Sequence, residues 1–383
     1  MASRSTSRRR SRQSSPARVE PLEPRLALAV TVLSPLADIT RPSTATTETI
    51  SVAGRFDDPD VTGTVVQFNV NTAAPNDRFF VELFDQAGPG RTDTTPKTVE
   101  NFLSYVNDGS YANTIIHRSA KNQDTSPFVV QGGGFKAPTA ALGQSGGTPT
   151  GIATKPAIVN EAGNSNIRGT IAMARTDDPD SATSQWFINL NDNLFLNKST
   201  ESAGYAVFGR VLGNGMTAVD AIAAVPTFNA AELYGGAFGE LPLRDVPNPI
   251  PNPLVIQPGQ FVTLPSISRV GEIVYTVTSS DPTLVAASFL PASGDTIPTL
   301  QLEHKPDKSG TAVITVRAAS VFDPTNFKED SFTVERQPPA PTAPGAPGVA
   351  TGLPINGRVN LSWTAPASNG GSPITDYVVQ HSS

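Results

Sequence analysis

The sequence predicts a mainly β protein of several modules, led by a closed antiparallel β-barrel capped by two helices. Three observations predict it. Glycine and proline are abundant (31 and 35 of 383 residues) while charged residues make up only 16%, a composition that suits turn-rich β domains better than helical bundles. Short apolar runs recur along the chain, several at period two, the pattern of half-buried strands. Only two segments read as helices. A chain this long is expected to hold two or three domains.

The first 30 residues form a basic region, rich in serine and arginine, that is expected to be disordered and to serve in export or sorting. The Arg8-Arg9-Arg10 run reads as a positively charged leader or solvated tail rather than a nucleic-acid site, since the net charge is −6. The apolar run Leu26 to Ala37 is too short to span a bilayer. The stretch from Glu20 to Leu28 (EPLEPRLAL) resembles the N-terminal signature of certain large bacterial exported proteins. Residues 31–63 read as a β-like lead-in, with a strand-like piece from Ile50 to Phe56 and an acidic turn from Asp57 to Asp60.

The barrel domain is assigned to residues 64–228. Val66, Phe68 and Val70 alternate with Gln67 and Asn69, and Phe79 to Phe84 reads as the hairpin partner. Thr95 is placed as the N-cap of a first helix with Pro96 at its first position. Val99, Phe102, Leu103 and Val106 then share a face, and Gly109 suits the stop. Strand-like pieces follow at 115–116, 128–130, 170–174, 185–190 and 206–211, and a second helix at 216–225. Many short strands with two helices point to a closed barrel.

Residues 229–248 read as a linker and 249–336 as a β-sandwich. In the latter, Val262, Leu264, Val274, Tyr275 and Val277 precede the alternating strand at 311–316. This segment resembles the immunoglobulin-like domains of bacterial surface proteins. Residues 337–348 (QPPAPTAPGAPG) form a proline-rich linker. The tail at 349–383, with Trp363 and Tyr377, resembles the opening of a fibronectin type III domain. It holds about a third of such a domain, so it is expected to be truncated and poorly packed.

The absence of cysteine excludes disulfides, a thiolate nucleophile and cysteine-ligated zinc. The three histidines, His117, His304 and His381, are far apart in sequence, which argues against a shared metal site. No cofactor or metal is expected.

The chemistry concentrates in the first domain. His117-Arg118 is followed by Pro127 to Gly133 (PFVVQGG), then Gly169 to Arg175 (GTIAMAR), Ser184 to Asn189 (SQWFIN), Phe195-Leu196 and Gly204 to Val211 (GYAVFGRV). In order and spacing these blocks resemble the signature blocks of cyclophilin-type peptidyl-prolyl cis–trans isomerases of the bacterial subtype, and Pro96 to Phe102 resembles the family's first helix. The resemblance covers about 160 residues. It implies an eight-stranded antiparallel barrel and isomerase activity on Xaa–Pro bonds. Arg118 and Gln131 then match the catalytic arginine and the glutamine that positions substrate. Phe128, Val129, Phe187, Phe195, Leu196 and Tyr205 match the proline pocket and its rim. Ala174 and Arg175 match the strand that pairs with the substrate main chain.

Elementary chemistry suits these residue types. Rotation about an Xaa–Pro amide is opposed by about 18–20 kcal/mol because nitrogen shares its lone pair with the carbonyl. The reaction needs no nucleophile and no metal. It needs an apolar grip on the ring and a donor to the lone pair that localises only in the twisted state. A guanidinium is permanently charged and carries fixed donors, so its stabilisation is selective for the transition state.

Some positions depart from the family pattern. Val129 stands where methionine is common, Arg175 where asparagine is usual, Phe195 for a tryptophan and Tyr205 for a histidine. The last two bear on cyclosporin sensitivity more than on activity. The stretches 86–93 and 137–154 also differ in length or composition. His117 reads as structural, since no proton transfer is needed. Gly132-Gly133-Gly134 reads as a tight turn rather than a phosphate loop, because no Lys-Ser/Thr follows. The acidic stretches at 57–60 and 177–180 read as solvated turns rather than calcium loops.

The sequence therefore points to an exported protein (periplasmic, cell-surface or extracellular) whose barrel isomerises Xaa–Pro bonds of exported clients and assists their folding. Its partners would be proline-containing peptides and unfolded proteins, not nucleic acid or a membrane span, with surface or matrix partners for the β-sandwich modules. The alternative is a non-catalytic surface or adhesion protein whose barrel only binds proline-containing peptides.

Overall fold

The computed structural model describes residues 28–246, 255–291 and 296–380. The basic tract, nearly all of the Glu20 to Leu28 signature and His381 lie outside the described residues.

Four short strands come first: β1 (Thr31–Val32), β2 (Ile39–Arg41), β3 (Thr47–Ser51) and β4 (Phe56–Asp57). Next are β5 (Val65–Asn69), β6 (Arg78–Leu83), helix α1 (Pro96–Asn107), β7 (Thr114–Ile115), β8 (Arg118–Lys121) and β9 (Pro127–Gly132). They lead to β10 (Phe135–Lys136), β11 (Thr150–Gly151), β12 (Thr170–Met173), β13 (Trp186–Asn189), β14 (Val207–Val211) and helix α2 (Met216–Ala223). After β15 (Thr227–Phe228), the one-turn helix α3 (Ala231–Tyr234) and β16 (Leu241–Pro242) come β17 (Thr263–Leu264) and β18 (Ile267–Val270). The chain continues with β19 (Ile273–Ser279), β20 (Val285–Phe289), β21 (Thr299–His304), β22 (Gly310–Ser320), β23 (Phe327–Arg336), β24 (Thr351–Ile355) and β25 (Arg358–Ser362).

Eight strands make one antiparallel sheet in the order β18-β5-β6-β14-β12-β13-β9-β8. The sheet has two ends, so the expected closed ring of eight ladders is corrected. The ends meet through the short strands that precede them: β7 runs into β8, β17 runs into β18, and β7 pairs with β17 at Thr263–Ile115 and Leu264–Thr114. The Ile116 amide adds a bond to the Val262 carbonyl. Phe68 stacks on Phe79 at 4.7 Å and meets Trp186 edge-on at 5.3 Å. Val99, Phe102, Tyr105 and Val106 of α1 and Ala218, Val219 and Ile222 of α2 complete the same core.

Helix α1 forms where its pattern places it, but its cap differs. The Thr95 side chain makes no capping bond. The Glu161 carboxylate does the work from 63 residues downstream, accepting from the Thr98 amide at 2.7 Å and the Lys97 amide at 3.3 Å. A carboxylate is well placed there because the first amides of a helix lack partners and the helix dipole favours negative charge.

Two expected boundaries move. Val262, Leu264 and Ile267 belong to the core of the eight-stranded module, and β18 pairs along its whole length with β5. They are therefore not part of the sandwich. Residues 229–246 are not a plain linker. Ala230, Phe238, Leu241 and Leu243 are buried with Ile115, Ile256 and Phe261 in a satellite core. The lead-in also has a different fate: β2 pairs parallel with β23, and β3 pairs antiparallel with β21.

The second unit is thus built from both flanks of the first. Sheets β19-β22-β23-β2 and β20-β21-β3 enclose one core, in which Val30, Val52 and Phe56 pack with Leu300, Ile314, Val316 and Val334. Arg336, 1% exposed, ties the flanks together by donating to the Ser43 and Ala45 carbonyls at 2.7 and 3.1 Å. The eight-stranded module is inserted between β4 and β19.

The proline-rich stretch is backbone-paired to the tail, with Thr342, Gly345 and Gly348 amides donating to Gly370, Ser368 and Thr364 carbonyls. Strands β24 and β25 form a hairpin whose turn, Asn356-Gly357, has positive φ at both residues (42° and 76°), the conformation an Asn-Gly turn favours. Both strands are exposed throughout. Trp363 and Tyr377 contact each other edge-on at 5.4 Å.

Candidate active site

One cross-strand row builds the site. Arg118 on β8 is register partner of Gln131 on β9, Gln131 of Phe187 on β13, and Phe187 of Ala172 on β12. Side chains alternate faces at period two. Val129, Ala174 and Tyr205 therefore join this row's face, whereas Val130, Trp186, Ile188, Ile171 and Met173 turn into the main core. The pocket lies on the sheet face opposite that core, over its own apolar floor of Phe84, Ala120, Val129, Ala172, Phe187 and Val207.

Arg118, Phe128, Val129, Gln131, Ala174, Arg175, Phe187, Leu196 and Tyr205 line a single cavity of about 170 Å³. Nine of the ten residues chosen from sequence meet there. Phe195 does not: it is 67% exposed and stacks on the outer side of Phe128 at 5.6 Å. Phe187 and Tyr205 meet edge-on at 5.6 Å.

The polar wall is a chain of contacts. Gln131 Nε2 donates to Gln185 Oε1 at 2.9 Å, and Arg118 Nη1 lies 3.5 Å from Gln131 Oε1. Arg118 Nε donates to Glu240 Oε2 at 2.9 Å. His117 is 1% exposed, and burial beside the Arg118 charge lowers its pKa to about 4. It is neutral at pH 7, which suits a packing role against Phe135 at 5.0 Å.

Arg175, which stands where the family has asparagine, is folded back. Its guanidinium donates to the Gly204 carbonyl at 3.0–3.1 Å and lies over the Tyr205 ring at 4.5 Å. The Ala174 amide is used within the sheet, donating to the Gln185 carbonyl.

Several contributors were not legible in the sequence. Glu240 sits in the stretch read as a linker. Buried Asn166, Asn189 and Asn193 fix the loop carrying Leu196: Asn193 donates to Asn189 Oδ1 at 2.9 Å and to the Phe128 carbonyl at 3.0 Å. Gly133 has φ +76°, and a Cβ there would meet the Ser184 carbonyl and the Trp186 ring within 2.8 Å; the glycine run is a tight backbone approach. The acidic turn at 57–60 is not wholly solvated, because Asp58 is fully buried. Among the described residues, no group of three or more His, Asp or Glu could hold a metal ion.

Comparison with known proteins agrees with this geometry. The family of cyclophilin-type peptidyl-prolyl cis–trans isomerases matches residues 67–235. "Peptidyl-prolyl cis-trans isomerase B" of Escherichia coli is 45% identical over 159 residues, covering 40% of this chain and 84% of that protein. The chain belongs to the cyclophilin-type isomerase family. "Peptidyl-prolyl cis-trans isomerase A" of Dickeya dadantii is 42% identical over 169 residues, 44% of this chain and 74% of that protein. A "Peptidyl-prolyl cis-trans isomerase" of Acinetobacter baylyi is 50% identical over 134 residues, 34% of this chain, and the chain spans 63% of that relative's length. The cyclophilin match ends before Glu240 and before strands β17 and β18.

Proposed function

We propose that this chain accelerates cis–trans isomerisation of Xaa–Pro bonds, and that its clients are exported or surface proteins whose folding it assists. The observation that carries the reading is the single cavity in which a guanidinium faces an apolar floor. Phe128, Val129, Phe187, Leu196 and Tyr205 would grip the proline ring, and Gln131 would steady the substrate backbone. The main chain at Ala174 and Arg175 would pair with the residues before proline. Arg118 would donate to the imide nitrogen as its lone pair localises. A ground-state planar amide offers no such acceptor, so the interaction lowers the barrier rather than merely tightening binding.

The two-sheet unit is read as immunoglobulin-like and the tail as the opening of a fibronectin type III domain, both acting as spacers or adhesive modules. Support comes from the two sheets around one core and from the Trp363–Tyr377 contact. The basic N-terminal tract supports export. No helix among the described residues is long and apolar enough to cross a membrane.

A protease-coupled assay on an Xaa–Pro peptide tests the activity, with the full chain and its Arg118→Ala variant. Acceleration that collapses in the variant is the expected result. A folded wild-type chain that binds the peptide without accelerating exchange would leave only a peptide-binding module.

A further inference from the structure

Glu240 lies beyond the segment that matches the family, on a stretch with its own anchors. Phe238 and Leu241, on either side of it, are 2% and 0% exposed. Strand β16 pairs with β15 at Leu241–Phe228 and Pro242–Thr227, and the Ala230 amide bonds the Phe238 carbonyl. The Glu240 carbonyl accepts the Ser119 amide at 2.9 Å, which covers the outer edge of β8, the end strand of the sheet. The backbone of Glu240 is thus held against the strand that bears Arg118.

From that position its side chain reaches one particular nitrogen. Glu240 Oε2 takes the Arg118 Nε proton at 2.9 Å. Gln131 Oε1 stands 3.5 Å from Nη1 on the other flank. Nη2 has no hydrogen-bond partner among the described residues. A guanidinium is a planar fork of five donors, so contacts at Nε and Nη1 fix both its position and the tilt of its plane. The remaining donors have no protein partner among the described residues, and Arg118 lines the cavity. Both side chains are about two-fifths exposed (38% and 39%). Solvent therefore softens the charge neutralisation that a carboxylate imposes on the cation, while the orientation persists.

We propose that Glu240 is a positioning residue for Arg118, supplied by an element outside the family's matched region. The assignment rests on the reading of the pocket as an isomerase site. A donor that must meet a lone pair present only in the twisted state depends on orientation more than a binding contact does. Removing Glu240 should therefore lower kcat and leave KM nearly unchanged.

The test uses the full chain with Glu240→Ala and Glu240→Gln. Isomerisation is followed by exchange NMR over a range of peptide concentrations, and the Arg118 Nε–Hε resonance, assigned by its loss in Arg118→Lys, is recorded alongside. Expected are a fall of about tenfold in kcat for Glu240→Ala, an unchanged KM, and an Nε–Hε signal that broadens and exchanges faster with water. Glu240→Gln keeps an acceptor and should recover most of the rate. Wild-type-like kcat in Glu240→Ala, or a faster variant, would overturn the assignment and leave the isomerase reading intact. A fall that Glu240→Gln does not recover would also overturn it. A wild-type chain without turnover would instead contradict the reading of the pocket, and with it any catalytic role for Glu240.

Discussion

Two ion-pair clusters on the same sheet behave differently. At the junction with the flanking β unit, Glu82 is fully buried between Arg91 and Arg210. Its Oε1 also accepts the Thr62 and Gly63 amides at 2.9 and 3.1 Å, and Arg210 continues to the Asp60 carbonyl at 2.7 Å. Both carboxylate oxygens are occupied by groups of the protein itself. At the pocket, Arg118 is half-exposed, pairs with Glu240 through one edge, and keeps donors toward an apolar cavity. The same residue types make a closed clamp in one place and an open donor in the other. What distinguishes a candidate catalytic arginine is therefore not its ion pair but the donors the pair leaves over.

Ending the chain at residue 260 removes β17 and β18, strips Val262, Leu264 and Ile267 from the core and bares the edge of β5. Cooperative unfolding, followed by near-UV circular dichroism, should disappear. Glu82→Ala leaves two arginines without their buried partner and should cost about 3–5 kcal/mol in a denaturant titration. Isomerisation by the fraction still folded should be little changed. Arg118→Ala should show the reverse: kcat/KM falls about 10²–10³-fold, while stability changes by less than about 1 kcal/mol because the lost pair is half-exposed.

His117 gives a smaller, pH-dependent signature. Its folded pKa of about 4 lies below the unfolded value of 6.5, so the unfolded chain binds the extra proton first as pH falls. The stabilisation is full above about pH 6.5 and is lost as pH drops towards 4, by about 3 kcal/mol at most. Urea titrations across that window should show a flatter acid limb for His117→Gln than for the natural chain. Phe195→Ala is expected to do least. The ring lies outside the cavity, and kcat/KM should change by less than about threefold, the effect of trimming a stacking neighbour of Phe128.

Much of the site was legible because its residues lie in short blocks whose order and spacing resemble those of the cyclophilin family, and period-two alternation along the strands places them on one face of the sheet. Val129 and Gln131, Ala174, Phe187 and Tyr205 each occur in short blocks whose spacing survives in the structure, and the blocks converge by cross-strand register. The missing parts depend on distant partners. The Glu161 cap on α1 and the Glu240 contact on Arg118 join residues separated by 63 and 122 positions, and no local pattern marks either. The four residues of strand β8, Arg-Ser-Ala-Lys, carry no apolar alternation, so no strand pattern marks them. Val262 and Leu264 alternate as a strand should, but alternation names no partner sheet. The same limit hid the pairing of β2 and β3 with strands nearly 300 and 250 residues away. Phe195 matches a pocket position by the resemblance, yet the single turn of 3₁₀ helix at 194–196 sends its side chain and that of Leu196 to different surroundings.

The central claim is that Arg118, presented over the apolar floor, accelerates rotation of a bound Xaa–Pro bond. Two-dimensional exchange NMR tests it most directly, with a peptide in large excess over the full chain and over Arg118→Ala. Cis–trans exchange peaks are expected at short mixing times with the natural chain. With the variant those peaks should vanish, while the peptide still perturbs the pocket resonances of Phe187 and Tyr205. Equal exchange from both proteins would contradict the claim, as would no exchange from a natural chain that binds the peptide.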